Sequence, residues 1–282
     1  MPEGVHGYPR WTGTLSTGSA APTVAGEELR RALNNLWIQI PLVLILAYAV
    51  AVVGQLSSFS RGGTGIHTLS QFVTFLDVVP WAGLLVAAIM GAPLLLEDQR
   101  QGALELYLSR AVTLPEYLGG KIAALLAVTT LACVGPVLLY YVATMLMFQN
   151  HPEGWEWVLP GALAWAFLWA VMVSGLALGL AAVSRSSRGA TLLLLGSFAV
   201  LDVFANNVFA GAQRLVDVLV PGGAARIVSP MNAWDAQLPW MIGATVDSGF
   251  EGWWGLVLWA VLLALGWGLL AWKRPRLGGA AE

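Results

Sequence analysis

Six stretches of this chain run for about twenty residues, the length of helix that crosses a bilayer's hydrocarbon core, with at most one charge each: 36–56, 78–96, 122–148, 157–184, 189–213 and 252–272. No other feature constrains the fold as strongly. Inside hydrocarbon every backbone N–H and C=O must be paired within the protein, and a helix does this segment by segment. Composition agrees. Only 11% of the 282 residues are charged, where a soluble domain carries roughly 25%, and the mean hydropathy is +0.71. The expected fold class is therefore an all-α membrane protein with about six transmembrane helices. The formal net charge of −2 excludes the basic surface of a nucleic-acid binder.

Lysine and arginine near the ends of the spans set the orientation. With the amino terminus inside, the inner segments hold Arg30, Arg31, Arg100, Arg110, Lys121, Arg185, Arg188, Lys273, Arg274 and Arg276, and the outer ones only Arg61, Arg214 and Arg226. Both termini are expected in the cytoplasm, with the chain in the cell membrane. Residues 1–26, rich in Gly, Thr, Ser and Pro, read as a disordered tail, 27–276 as the membrane domain and 277–282 as a second tail. The outer stretch between the fifth and sixth spans holds two short apolar pieces, 215–220 and 238–246. They are separated by Pro221-Gly222-Gly223 and Ser229-Pro230 and fit either short re-entrant or interfacial helices or an ordinary loop.

The inner connection between spans two and three, EDQRQGALELYLSRAVTLPEYLGGK from Glu97 to Lys121, is the most informative segment. Its first half is amphipathic, with Leu104, Tyr107, Leu108 and Ala111 on one face and Asp98, Arg100, Gln101, Glu105 and Ser109 mainly opposite. Thr113-Leu114-Pro115-Glu116 then reads as a capping box that starts the third helix before it enters the membrane past Lys121. Periodicity leaves two readings open, a helix on the lipid surface or a helix offered to a protein groove.

This segment resembles the cytoplasmic signature of ABC-transporter permeases of the type-2, exporter-like class. Glu97, Arg100, Gly102, Leu104, Glu105, Leu108, Ser109, Arg110, Tyr117, Leu118, Gly120 and Lys121 match the pattern. Ala103 stands where Thr is usual, Ala111 where Pro is common and Leu114 where a basic residue is common, which alters the shape of the connecting turn. The resemblance implies an interfacial elbow helix at 27–37, a coupling helix between spans two and three, and short external helices before the last span. It also implies a second permease copy, as a homo- or heterodimer, and a separate ATPase subunit, which would carry ATP and magnesium. The ATPase-coupling interface would be Glu97, Asp98, Arg100, Gly102, Leu104, Glu105, Tyr107, Leu108 and Arg110, with the apolar members in a groove and the charged ones at its rim. A phosphate-binding loop requires G-x-x-x-x-G-K-[ST]. Here Gly120-Lys121 is followed by Ile122, and Pro115 stands at the first-glycine position.

Asp202 is the only charge inside a predicted span, with Asn206 one turn on. Intramembrane acids are costly and usually functional, so an ion-coupled secondary transporter using Asp202 is the alternative reading. The plainer one pairs Asp202 with Arg214 or Arg226 near the outer surface. Gly175 and Gly179 make a G-x-x-x-G spacing in the fourth span, suited to a dimer contact or to packing within the chain. Ser174 lacks a histidine at its depth, since His6, His67 and His151 fall outside the spans. With one cysteine, Cys133, and scattered histidines the sequence offers neither a catalytic constellation nor a metal or cofactor site. The acidic outer stretch (Asp217, Asp235, Asp247, Glu251) disfavours anionic cargo.

Overall fold

The computed structural model describes residues 19–59, 72–100, 112–147, 155–209, 229–235, 237–241 and 253–277. Its regular elements are helical throughout. In chain order they are α1 (Ala21–Asn34), α2 (Leu36–Phe59), α3 (Val79–Arg100, preceded by a helical turn at 72–76), α4 (Leu114–Met147) and α5 (Trp155–Val183). Next come α6 (Ser187–Val203), which runs on as a π-helical turn over Phe204–Phe209, then α7 (Pro230–Asp235), α8 (Leu238–Met241) and α9 (Trp253–Leu277). Six helices among the described residues are long and apolar enough to cross a membrane, the candidate windows being Leu36–Gln55, Phe72–Asp98, Leu114–Leu146, Trp157–Val183, Ser187–Asn206 and Gly255–Trp272.

Two boundaries differ from the sequence expectation for identifiable reasons, and a third falls where the capping box put it. The first helix begins at Ala21, not Glu27, because Pro22 falls in its first turn, where the missing N–H costs nothing. The third spanning helix begins at Leu114, eight positions before the apolar run, as expected from the capping box of Thr113 and Glu116. The fifth keeps α-helical hydrogen bonding only to Val203 and then widens into the π-turn that contains Asn206. Pro41, Pro93, Pro136 and Pro160 lie inside the spanning helices, where neighbouring helices supply the packing that tolerates them.

Helix α5 is the hub of the bundle and packs on α3, α4, α6 and α9. Its Trp165, Trp169, Ala162, Ala166 and Val173 are fully buried. The Trp169 indole N–H donates to the Pro80 carbonyl at 2.9 Å, the pairing that burial of a tryptophan demands. Gly175 and Gly179 face α9 of the same chain: a Cβ on Gly266 would come within 2.6 Å of the Gly175 carbonyl carbon and the Leu176 nitrogen. The G-x-x-x-G pair is thus spent on close helix approach inside the chain and not on a second copy. Ser174 is buried with its hydroxyl 2.9 Å from that of Thr129, a polar cross-link between α5 and α4.

The two ends of the bundle differ in their extra helices. At one end α1 lies against the start of α4 and the beginning of α2. At the opposite end α7 and α8 pack against α9, α6 and α5. There Trp234 is buried among Trp165, Trp169 and Trp259, with ring centroids 5.6, 5.1 and 5.6 Å away. Of the outer apolar pieces, 215–220 lies outside the described residues, and 238–246 holds the four-residue α8.

Candidate functional site

The segment singled out by sequence leaves α3 at its carboxyl end and returns at the start of α4. Glu97, Asp98 and Arg100 are described; Gly102, Leu104, Glu105, Tyr107, Leu108 and Arg110 lie outside the described residues. What the structure shows is how the two roots of the segment are held.

Lys121, on the second turn of α4, is 1% exposed. A buried ammonium has three protons to satisfy, and three acceptors surround it. These are Asp98 Oδ2 at 2.7 Å, Glu28 Oε1 at 2.9 Å and the Leu94 carbonyl at 2.8 Å. The Tyr117 hydroxyl donates to the same Asp98 oxygen at 2.6 Å, and its ring lies 5.2 Å from the Lys121 nitrogen, close enough for a cation–π contribution. One cation therefore ties together α1 through Glu28, the end of α3 through Leu94 and Asp98, and the start of α4. Gly120, just before it, lets α1 come close enough. A Cβ there would sit 2.7 Å from both the Ala21 carbonyl oxygen and the Val24 Cβ.

Two further ties flank this joint. The Glu116 carboxylate accepts from the Thr113 backbone N–H at 3.0 Å and from its hydroxyl at 2.8 Å, and its other oxygen reaches the Ala20 N–H at 3.4 Å. That is the reach-back half of the expected capping box, extended to the start of α1. Arg100 donates to the Arg185 carbonyl at 2.9 Å, linking the end of α3 to the turn between α5 and α6. Ser186, in that turn, caps α6 by accepting from the Gly189 N–H.

Asp98 and Arg100 are therefore not rim groups pointing away from the bundle: Asp98 turns inward to Lys121, and Arg100 binds a neighbouring turn. Glu97 and Arg100 are exposed and make no ion pair among the described residues, and of the two only Arg100 makes a side-chain hydrogen bond there. Sequence reading placed Lys121 within the matching pattern but missed its partner. The available signal was a lysine followed directly by an apolar run, since such a cation needs a carboxylate nearby. Nothing in periodicity says that the carboxylate is Glu28, 93 positions away.

At the opposite end, Asp202 is held by neutral groups. Ser229 donates to its Oδ1 at 2.8 Å and Asn206 at 3.1 Å, and Asn232 in turn donates to Asn206 at 2.9 Å. Arg214 and Arg226, expected as its partners, lie outside the described residues. Asp235 adds a second acid, whose buried Oδ1 has no hydrogen-bond partner among the described residues. Burial, together with the charges of Asp77 and Asp202, holds its proton affinity well above the usual carboxylate range. No group of three metal-ligating side chains occurs among the described residues.

A family model described as ABC-2 family transporter protein matches residues 23–270. No curated protein matches the chain.

Proposed function

The chain belongs to the ABC-2 family of transporter proteins, and on that premise we propose that it is the permease of an exporter driven by a separate, cytoplasmic ATPase. The protein is a membrane-spanning transport subunit; direction, partner and the coupling segment are the parts of this reading that go further. In it α1 is the elbow helix at the inner leaflet, both termini are cytoplasmic and 97–111 is the surface on which the ATPase docks. Leu104, Tyr107 and Leu108 enter its groove, with Glu97 and Glu105 at the rim. Two permease copies complete the transporter, and ATP with magnesium stays on the partner.

The observation that carries the reading is the Lys121 joint. A force applied to the docking segment can move helices only if its ends do not yield. Both ends are fastened, and the fastening reaches α1, α3, α4 and the α5–α6 turn. Packed elements of this kind move as rigid bodies. The chain lacks a phosphate-binding loop of its own, so the energy has to come from a partner. The ion-coupled alternative rests on Asp202. Secondary transporters place several polar groups near the midplane on broken helices, whereas Asp202 sits at the end of its helix among neutral partners.

The test is purification of the tagged chain from its host in mild detergent, with identification of co-purifying subunits and an assay of ATP hydrolysis. A stoichiometric subunit with a nucleotide-binding loop, lost on Leu104→Glu, supports the reading. Absence of an ATPase in several detergents, or its retention in the Leu104→Glu variant, overturns the docking assignment.

A further inference from the structure

Along the seam between α2 and α3 run two hollows that meet. The first is an apolar groove of about 400 Å³ lined by Ile40, Pro41 and Leu44 of α2 and by Trp81, Ala82 and Leu85, with almost no polar surface. The second lies at the α1 end of the same seam. It is a cavity of about 220 Å³ whose wall is half polar and carries Glu28, Arg31, Glu97, Asp98 and Lys121. Ile89 lines both, so the hollows adjoin.

We propose that they form one binding site for a phospholipid whose headgroup carries a primary ammonium, with an acyl chain in the groove and the ammonium on Glu97. Three observations select this occupant. The first is depth. The groove runs from Val78, just before α3, along α3 to Ile89, eleven steps of about 1.5 Å or roughly 16 Å. One leaflet supplies about half of the ~30 Å hydrocarbon core. The second is the position of the junction. Trp37, 70% exposed, lines the groove where it meets the charged cavity, and exposed tryptophans mark headgroup level.

The third is charge. The cavity holds three carboxylates and two cations, and the Lys121 ammonium is already matched by three acceptors. That leaves a net negative mouth with Glu97 exposed on it. A primary ammonium can donate to that carboxylate, while a quaternary one has no proton to give. The phosphate of the same headgroup then lies toward Arg31, which leans on Glu27 and Glu28 at 3.4 and 3.7 Å and is more than half exposed at the rim. An anionic lipid without an amine would bring its charge to a negative mouth. The site requires only that the chain sits in a bilayer, and although Glu97 also lies at the rim of the proposed docking surface, the site can be tested on the chain without an ATPase.

Native mass spectrometry of the full chain, presented with equimolar phosphatidylethanolamine, phosphatidylcholine and phosphatidylglycerol of matched chains, tests it. The phosphatidylethanolamine adduct should exceed the other two by about tenfold, as expected for one charge-assisted hydrogen bond. Glu97→Gln should reduce it to the phosphatidylcholine level. Leu44→Trp, on an exposed face where folding tolerates bulk, should fill the groove and remove adducts of all three. Equal retention of ethanolamine and choline lipids by the unaltered chain, or a preference unchanged in Glu97→Gln, overturns the headgroup assignment. Adducts undiminished in Leu44→Trp overturn the groove.

Discussion

At the α1 end of the bundle, Lys121 lies between two carboxylates at 2.7 and 2.9 Å. At the other end, Asp202 and Asp235 have no cation beside them among the described residues. Both sites bury charge at a place where helices from distant parts of the chain meet, yet they resolve it differently. The first neutralises its charges pairwise and closes every valence of the ammonium. The second leaves the acids to neutral donors, one another and a proton. A compensated site ties its helices together through opposite charges. An uncompensated one carries the cost of a buried acid whenever that acid is charged, as the raised proton affinity of Asp235 shows. The compensated site lies at the end of the bundle where the proposed docking segment leaves α3 and rejoins at α4.

The largest effect should come from removing the one cation. Lys121→Met leaves Asp98 and Glu28 facing each other, largely buried, with only the Tyr117 hydroxyl on the one and the exposed Arg31 beside the other. Breaking a buried pair in this way costs ~3–5 kcal/mol. The expected outcome is a sharp fall in thermal midpoint and in the monodisperse fraction after solubilisation. Neutralising all three together, as Glu28→Gln, Asp98→Asn and Lys121→Met, should recover most of the loss, since the damage lies in the uncompensated carboxylates. If the triple variant is as unstable as Lys121→Met, the joint depends on shape rather than charge and the contrast between the two ends collapses.

Asp235 should behave in the opposite sense. Its carboxyl has a raised proton affinity when folded. Its contribution is therefore intact below the usual carboxylate value of about 3.9 and is lost as pH climbs through the raised value. Each tenfold displacement in affinity costs about 1.4 kcal/mol once the group is charged in both states. Asp235→Asn should leave stability unchanged in acid and raise the thermal midpoint at pH 8, flattening the alkaline decline. A variant less stable than its parent at pH 8 would mean that the charged form is the one the fold prefers.

What the sequence disclosed and what it hid follow the same division. The spans were legible because hydrocarbon imposes a length and an absence of charge that survive any detail of packing. Thr113 and Glu116 were legible because a cap is a local bargain between residues three apart. The Gly175 and Gly179 spacing announced a close helix approach, but its partner, Gly266 on α9, is set by tertiary structure. The Lys121–Glu28 pair joins α4 to an amphipathic helix whose start was placed six residues too late, so neither register nor contact was available. Asp202 was recognised as an anomaly, while its partners Ser229 and Asn206 had no mark beyond being polar.

The smallest effect, and the finest test of the comparison, is Asp202→Asn. The amide oxygen can still accept from Ser229 and Asn206, which now share one acceptor at 2.8 and 3.1 Å. The change exchanges charge-assisted hydrogen bonds for neutral ones, roughly 1 kcal/mol at most. It also withdraws one of the two negative charges that push up the proton affinity of Asp235. Burial, the larger cause, remains. Thermal unfolding followed from pH 5 to 9 should therefore show a midpoint nearly unchanged and an alkaline decline that persists but is slightly smaller and complete at slightly lower pH. If the decline vanished in Asp202→Asn as completely as in Asp235→Asn, the two acids would titrate as a unit. A shared proton at that end of the bundle is what an ion-coupled mechanism would need, so that result would move energy input away from the Lys121 joint.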